Sequence, residues 1–157
     1  KQMDERTEHY IRLIGLKIIP AYFFSRNPSA VSSWQFSMCR QTSVIIANIL
    51  RTKGINCQAW EGNFQSAMVP RYDHSWNYIP ETKTIIDVTS TFPYIIHGID
   101  NDPVQALKGT LEIQSIGEYK EIDVIEALLV EEYYTRLNGI DILFEIFEII
   151  KQSKINF

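Results

Sequence analysis

Between Asp4 and Ile19 the apolar residues Tyr10, Ile11, Leu13, Ile14 and Ile18 alternate with Glu8, Arg12 and Lys17. That spacing predicts an amphipathic helix, with Pro20 as its end. SRNPSAVSS, Ser25 to Ser33, has the composition of a loop and carries the chain to Trp34. A second helical pattern runs from Met38 to Lys53 and stops at Gly54, which suits the left-handed position after a helix, while Arg51 and Lys53 complement the negative end of the dipole. On this helix Cys39, Ser43, Ile46 and Leu50 share one stripe, and Arg40, Gln41, Asn48 and Arg51 lie on the far side.

The period then changes. INCQAWEG, DHSWNYI and TIIDVT alternate as strands do, and PETK between the last two predicts an antiparallel hairpin. Alternation places His74, Trp76 and Tyr78 on one face, and Ile85, Asp87 and Thr89 on one face of the partner strand. If the turn has even length and pairs Ile79 with Thr84, the two faces coincide and His74 becomes the diagonal neighbour of Asp87. A slip of one residue would send Asp87 to the opposite side. Further on, TLEIQSI reads as a short strand, and Ile122 to Leu137 and Ile140 to Lys151 as helices separated by Asn138-Gly139. Asp100-Asn101-Asp102 precedes Pro103 and lacks the remainder of a calcium loop, so it reads as a turn. The expected class is α+β: a helix headed by Cys39 packed on a small antiparallel sheet, with additional helices at the amino and carboxyl ends.

With 157 residues, 45% of them hydrophobic and 22% charged, the chain is expected to form a single domain over 1–157. A formal net charge of -4 argues against a surface that tracks nucleic-acid phosphates. Two cysteines, Cys39 and Cys57, are too few for a disulfide-framed scaffold, so reduced thiols and a reducing compartment are expected, the cytoplasm or a host cytosol into which the protein is delivered. No apolar run reaches the length of a membrane span. The charged opening KQMDERTEHY, which starts at Lys1, is expected to belong to a fragment of a longer protein with neighbouring domains outside it.

The candidate chemistry comes from three residues in order. A thiol attacks a carbonyl as thiolate, and a helix N-terminus favours that form through its unpaired N–H groups and dipole. Cys39 sits in such a place. It needs a base within hydrogen-bonding reach, and the base needs a third group to fix its tautomer. His74 and Asp87 on the hairpin supply both. Alone, a cysteine on an apolar stripe reads as a small core residue, His74 as a core histidine and Asp87 as a strand-end residue. The conjunction of all three, each in the local structure its role requires, selects the catalytic reading.

These residues resemble the transglutaminase-like superfamily of papain-type thiol enzymes. The likeness is carried by CRQTSVIIANILRTKGI, His74-Ser75-Trp76 and Asp87-Val88-Thr89, and covers about Trp34 to Phe92. The spacings, 35 residues from Cys39 to His74 and 13 from His74 to Asp87, are similar to those of compact bacterial members, among them toxin-type glutamine deamidase domains. The resemblance implies a papain/transglutaminase-like core, with Cys39 as nucleophile, His74 as general base and acid, and Asp87 as orienting carboxylate. Where many relatives carry Gly before the nucleophile, this chain has Ser37-Met38, and Ser33 stands where papain-like enzymes place an oxyanion Gln. The backbone N–H of Cys39 is then the first oxyanion donor, and Gln35, Trp34 and Trp76 are the candidates for oxyanion or substrate contact.

The implied activity is a cysteine amidohydrolase that deamidates a glutamine side chain of a protein substrate. The alternatives are a cysteine protease of the same fold and a catalytically silent peptide-binding module. No cofactor and no metal is expected, since Cys39, His74 and Asp87 lack the close spacing of a zinc site. Cys57, His97 and His9 are read as structural. Phe144, Phe147, Ile149 and Ile150 read as core, or as a docking surface for a neighbouring domain.

Overall fold

The structure, a computed structural model, describes residues 3–26, 38–89, 95–98, 111–113, 117–125, 136–137 and 140–154. The described chain is α+β, with helices on one side of an antiparallel sheet. Helix α1 spans Glu5–Leu13, and Asp4 caps it by accepting from the Thr7 amide at 2.7 Å. A π-helical turn, Ile14–Ile18, leads directly into α2, Ile19–Arg26.

Pro20 therefore does not end the first helix, as the pattern implied. Its ring lacks an N–H and in a regular helix would crowd the carbonyl four residues earlier. The wider π turn just upstream, where the Ile19 amide bonds back to Ile14 O, makes room for it and leaves Pro20 in the first turn of α2. Ser25 and Arg26 are accordingly helical, and the rest of the SRNPSAVSS loop lies outside the described residues.

Helix α3, Cys39–Thr52, follows the sequence closely. Gly54 adopts φ +78, its amide donates to Arg51 O, and the Ile55 amide donates to Leu50 O, so two carbonyls of the last turn are satisfied. Ser43, Ile46 and Leu50 are buried as expected, and burial also extends to Thr42, Val44, Ile45, Ala47 and Ile49.

The six-stranded sheet comprises β1 (Gln58–Gln65), β2 (Tyr72–Ile79), β3 (Thr84–Asp87), β4 (Ile95–Gly98), β5 (Leu111–Ile113) and β6 (Gly117–Val124), in the order β4-β3-β2-β1-β6-β5. All its pairings are antiparallel. One face, through Ala59, Ile79 and Ile86, joins a core with Ile45, Ile46, Ile49 and Leu50 of α3 and with Ile11, Ile14 and Ile19. Asn77 pins α3 to this face, donating to Ser43 O at 2.6 Å and to Gln58 O at 3.2 Å. The opposite face carries a second cluster of Trp60, Phe64, Trp76, Tyr78, Ile85, Tyr119 and Ile122.

The β1–β6 pairing contains a bulge: the register shifts by one residue between Glu61 and Asn63, and Glu121 opposite takes φ 53. Gly62 sits against it. A Cβ there would lie 2.6 Å from Lys120 O and 2.9 Å from Glu121 O. Gly62 also pairs with His74, so the bulge fits beneath the residue of greatest interest. Gly62→Ala is expected to lower stability by about 2 kcal/mol or more, because backbone rather than a flexible side chain must move. Urea unfolding monitored by tryptophan fluorescence would measure it, and a midpoint equal to wild type would refute the close approach.

The carboxyl half departs from the sequence reading. Ile122–Val124, expected at the start of a helix, are the end of β6, and Arg136–Leu137, expected at its end, form strand β7. The stretch between them lies outside the described residues. Strand β5 falls within TLEIQSI as anticipated. Strand β8, Ile140–Asp141, pairs with β7, and helix α4 begins two residues later than expected, at Ile142–Gln152, with Asp141 accepting from the Phe144 amide at 3.0 Å. Of the apolar group on α4, Ile150 packs in the core with Ile142 and Ile146, whereas Phe144 points outward, 61% exposed. Glu145 ties α4 to α2, accepting from Tyr22 Oη at 2.6 Å and pairing with Arg26. Asp100, Asn101 and Asp102 lie outside the described residues. No described helix is long and apolar enough to cross a membrane.

Candidate active site

Four residues, Pro80 to Lys83, connect β2 to β3, and the turn closes with the Lys83 amide donating to Pro80 O at 3.2 Å. Ile79 pairs with Thr84, Tyr78 with Ile85 and Asn77 with Ile86. This even register puts His74 and Asp87 on the same face. The imidazole reaches diagonally across, and Nε2 lies 2.9 Å from Asp87 Oδ1 and 2.8 Å from Oδ2. Each residue is 1% exposed.

A carboxylate only accepts, so Nε2 carries the proton and donates, which leaves Nδ1 as the nitrogen free to exchange a proton with a reacting group. Burial alone would depress the His74 pKa. The charge and hydrogen bond of Asp87, with a further contribution from Cys39, override that and raise it to about 10. His74 is thus held as an imidazolium near neutrality.

Cys39 is the first residue of α3 and, at 9% exposed, the most accessible of the three. Met38 before it provides no side-chain cap. The Cys39 side chain interacts with that of His74 and favours its charged form. Among the described residues Nδ1 nevertheless has no partner at ordinary hydrogen-bond geometry, so the thiol stands beside the ring without a tightened bond. Catalytic hydrogen bonds are often loose before substrate arrives.

Beneath the pair, Trp76 stacks on the imidazole at 6.0 Å between centroids and 26° between planes. It is 1% exposed, as buried as His74 itself, and its indole N–H has no partner among the described residues. Trp34 and Gln35, the other two candidates for oxyanion or substrate contact, lie outside the described residues. Arg40, the next residue of α3, forms an exposed ion pair with Glu61 of β1 at 3.3 Å.

One residue at this site escaped the sequence reading. Tyr119 donates from its hydroxyl to Asp87 Oδ2 at 2.9 Å, entirely buried. No local alternation marked it, because the bulge at Glu121 sets the two buried residues of β6, Tyr119 and Ile122, three apart. Cys57, by contrast, is buried in the helix-side core, and desolvation pushes its thiol up to about 12. His9 is exposed on α1. Among the described residues no group of three His, Cys, Asp or Glu is arranged to hold a metal.

The chain matches no family model, no curated protein and no solved structure. The functional reading therefore rests on the residues themselves. What the structure brings together is a helix-tip thiol, an imidazole and a buried carboxylate that bonds the imidazole's far nitrogen.

Proposed function

We propose that the protein is a thiol-dependent acyl hydrolase or transferase acting on amide bonds, and that its reaction is deamidation of a glutamine side chain in a protein substrate. The observation that carries the proposal is the His74–Asp87 pair. Asp87 occupies Nε2 with both oxygens, while the buried Nδ1 is left for Cys39.

In this reading the Cys39 thiolate adds to the amide carbon, and the carbonyl electrons move to oxygen, stabilised by the backbone N–H at the start of α3. Collapse breaks the C–N bond, and the imidazolium of His74 gives its Nδ1 proton to the departing ammonia. Water, deprotonated by the neutral His74, then attacks the thioester, releasing the glutamate carboxylate and regenerating the thiolate. Asp87 holds the ring throughout. A nucleophile at a helix start, facing adjacent antiparallel strands that bear His and Asp, agrees with the papain/transglutaminase-like core implied by the sequence. The choice of a side-chain amide follows the likeness of the Cys39, His74 and Asp87 spacings to the compact bacterial deamidases.

Candidate protein substrates incubated with wild type and with Cys39→Ala would be compared by mass spectrometry. Deamidation adds about one dalton at a glutamine in the wild-type sample alone. New termini would reassign the activity to proteolysis and amine adducts to transfer. Identical samples would count against an enzyme.

A further inference from the structure

Asp87 is buried, charged and bonded by more than its histidine. Among the described residues Oδ1 accepts from His74 alone, whereas Oδ2 accepts from both His74 and the hydroxyl of Tyr119. Tyr119 comes from β6, two strands away from the hairpin in the sheet, and its ring is clamped between Trp76 at 4.5 Å and Phe64 at 4.9 Å between centroids. Desolvation and the neighbouring Asp87 raise its pKa well above the usual tyrosine range, so the hydroxyl remains protonated and is the donor to the carboxylate. Asp87 is the last residue of β3. A carboxylate there, held only by an imidazole that must itself gain and lose protons, would be free to rotate at each cycle.

We propose that Tyr119 is a positioning residue for the thiol chemistry, fixing the Asp87 carboxylate so that both oxygens remain aimed at His74 Nε2. The site is then a relay of four side chains, Cys39, His74, Asp87 and Tyr119, drawn from a helix and three strands. Tyr119 touches no reacting atom. It acts through Asp87 by sharing the charge on Oδ2 and by stopping the carboxylate from turning away. The inference rests on the proposed thiol reading.

Two readouts test it in the intact chain. The first is the rate of Cys39 alkylation by iodoacetamide, followed by peptide mass spectrometry, in wild type, His74→Ala and Tyr119→Phe. Tyr119→Phe is expected to slow labelling roughly tenfold, as losses of partners behind a reacting group do. The second is the proton resonance of the His74 Nε2–H, shielded from water in wild type. In Tyr119→Phe it should broaden through exchange while the backbone amide spectrum is retained, a change that a purely packing role would not produce. Should Tyr119→Phe fail to fold, 3-fluorotyrosine at position 119 keeps the ring and strengthens the donor, and should move the same resonance upfield by drawing charge from Asp87. Selective, His74-dependent labelling of Cys39, with the rate and the resonance unchanged on altering Tyr119, would overturn the positioning role alone. Labelling of Cys39 that ignores His74→Ala would overturn the thiol reading and the positioning role with it.

Discussion

Replacing Cys39 with alanine is expected to lower amide turnover by about four orders of magnitude, the scale on which a covalent nucleophile is lost, while the protein stays folded. The fold should tolerate it because Cys39 lies at the tip of α3, outside both apolar clusters, and retains some exposure. Removing one sulfur there costs roughly 1 kcal/mol, well below what a large core deletion costs. The same site should show in thiol chemistry. Iodoacetamide at neutral pH should label Cys39 in the native protein and spare Cys57, which is fully buried and has its thiol pushed up to about 12. Equal labelling of both cysteines, or turnover that survives Cys39→Ala, would remove the nucleophile from the proposal.

The second large effect belongs to Asp87→Asn. The substitution keeps the shape, but an amide nitrogen facing Nε2 favours the wrong tautomer, and loss of the charge leaves His74 with burial as the dominant influence. Turnover should fall by roughly three to four orders of magnitude, as when the orienting carboxylate of a triad is neutralised. Stability should change sign in its response to pH. In wild type the folded His74 pKa of about 10 lies above its unfolded value of 6.5, so the native state binds the extra proton. The stabilisation is full below pH 6.5 and is lost as pH rises toward 10. Without Asp87 the remaining desolvation pulls His74 below its unfolded value, and stability should then rise with pH only up to about 6.5 and stay level above it. Urea midpoints from pH 5 to 10, taken in a Cys39→Ala background to remove thiol titration, would fall above pH 6.5 with Asp87 in place, and with Asn there would rise only below pH 6.5 and stay level above it. Parallel slopes would mean that the pair does not hold His74 charged.

The parts of the site legible in the sequence are those set by short-range rules. PETK is a turn of even length, so the alternation of DHSWNYI and TIIDVT determines which side chains share a face, and the diagonal from His74 to Asp87 follows. Gly54 marked the end of α3 for an equally local reason, a backbone position at φ +78. The failures arose where one residue too many enters a regular repeat. The π turn over Ile14–Ile18 absorbs the crowding from Pro20, so a residue that normally stops a helix sits inside a continuous helical run. The bulge at Glu121 brings Tyr119 and Ile122 onto one face although they are three apart, the spacing expected of a helix and not of a flat strand. That irregularity hid β6 and, with it, Tyr119. Pairing between β1 and β6 is a long-range contact, which no local pattern around residue 119 encodes.

Gly15, in the π turn, lies so close to Val88 that a Cβ would stand 2.7 Å from its Cγ1. Val88 directly follows Asp87. The amino-terminal helices are therefore a backstop pressed against the end of the strand that carries the charged member of the pair. Trimming the protein down to α3 and the sheet would keep every side chain of the proposed relay yet remove the surface on which the residue after its carboxylate rests.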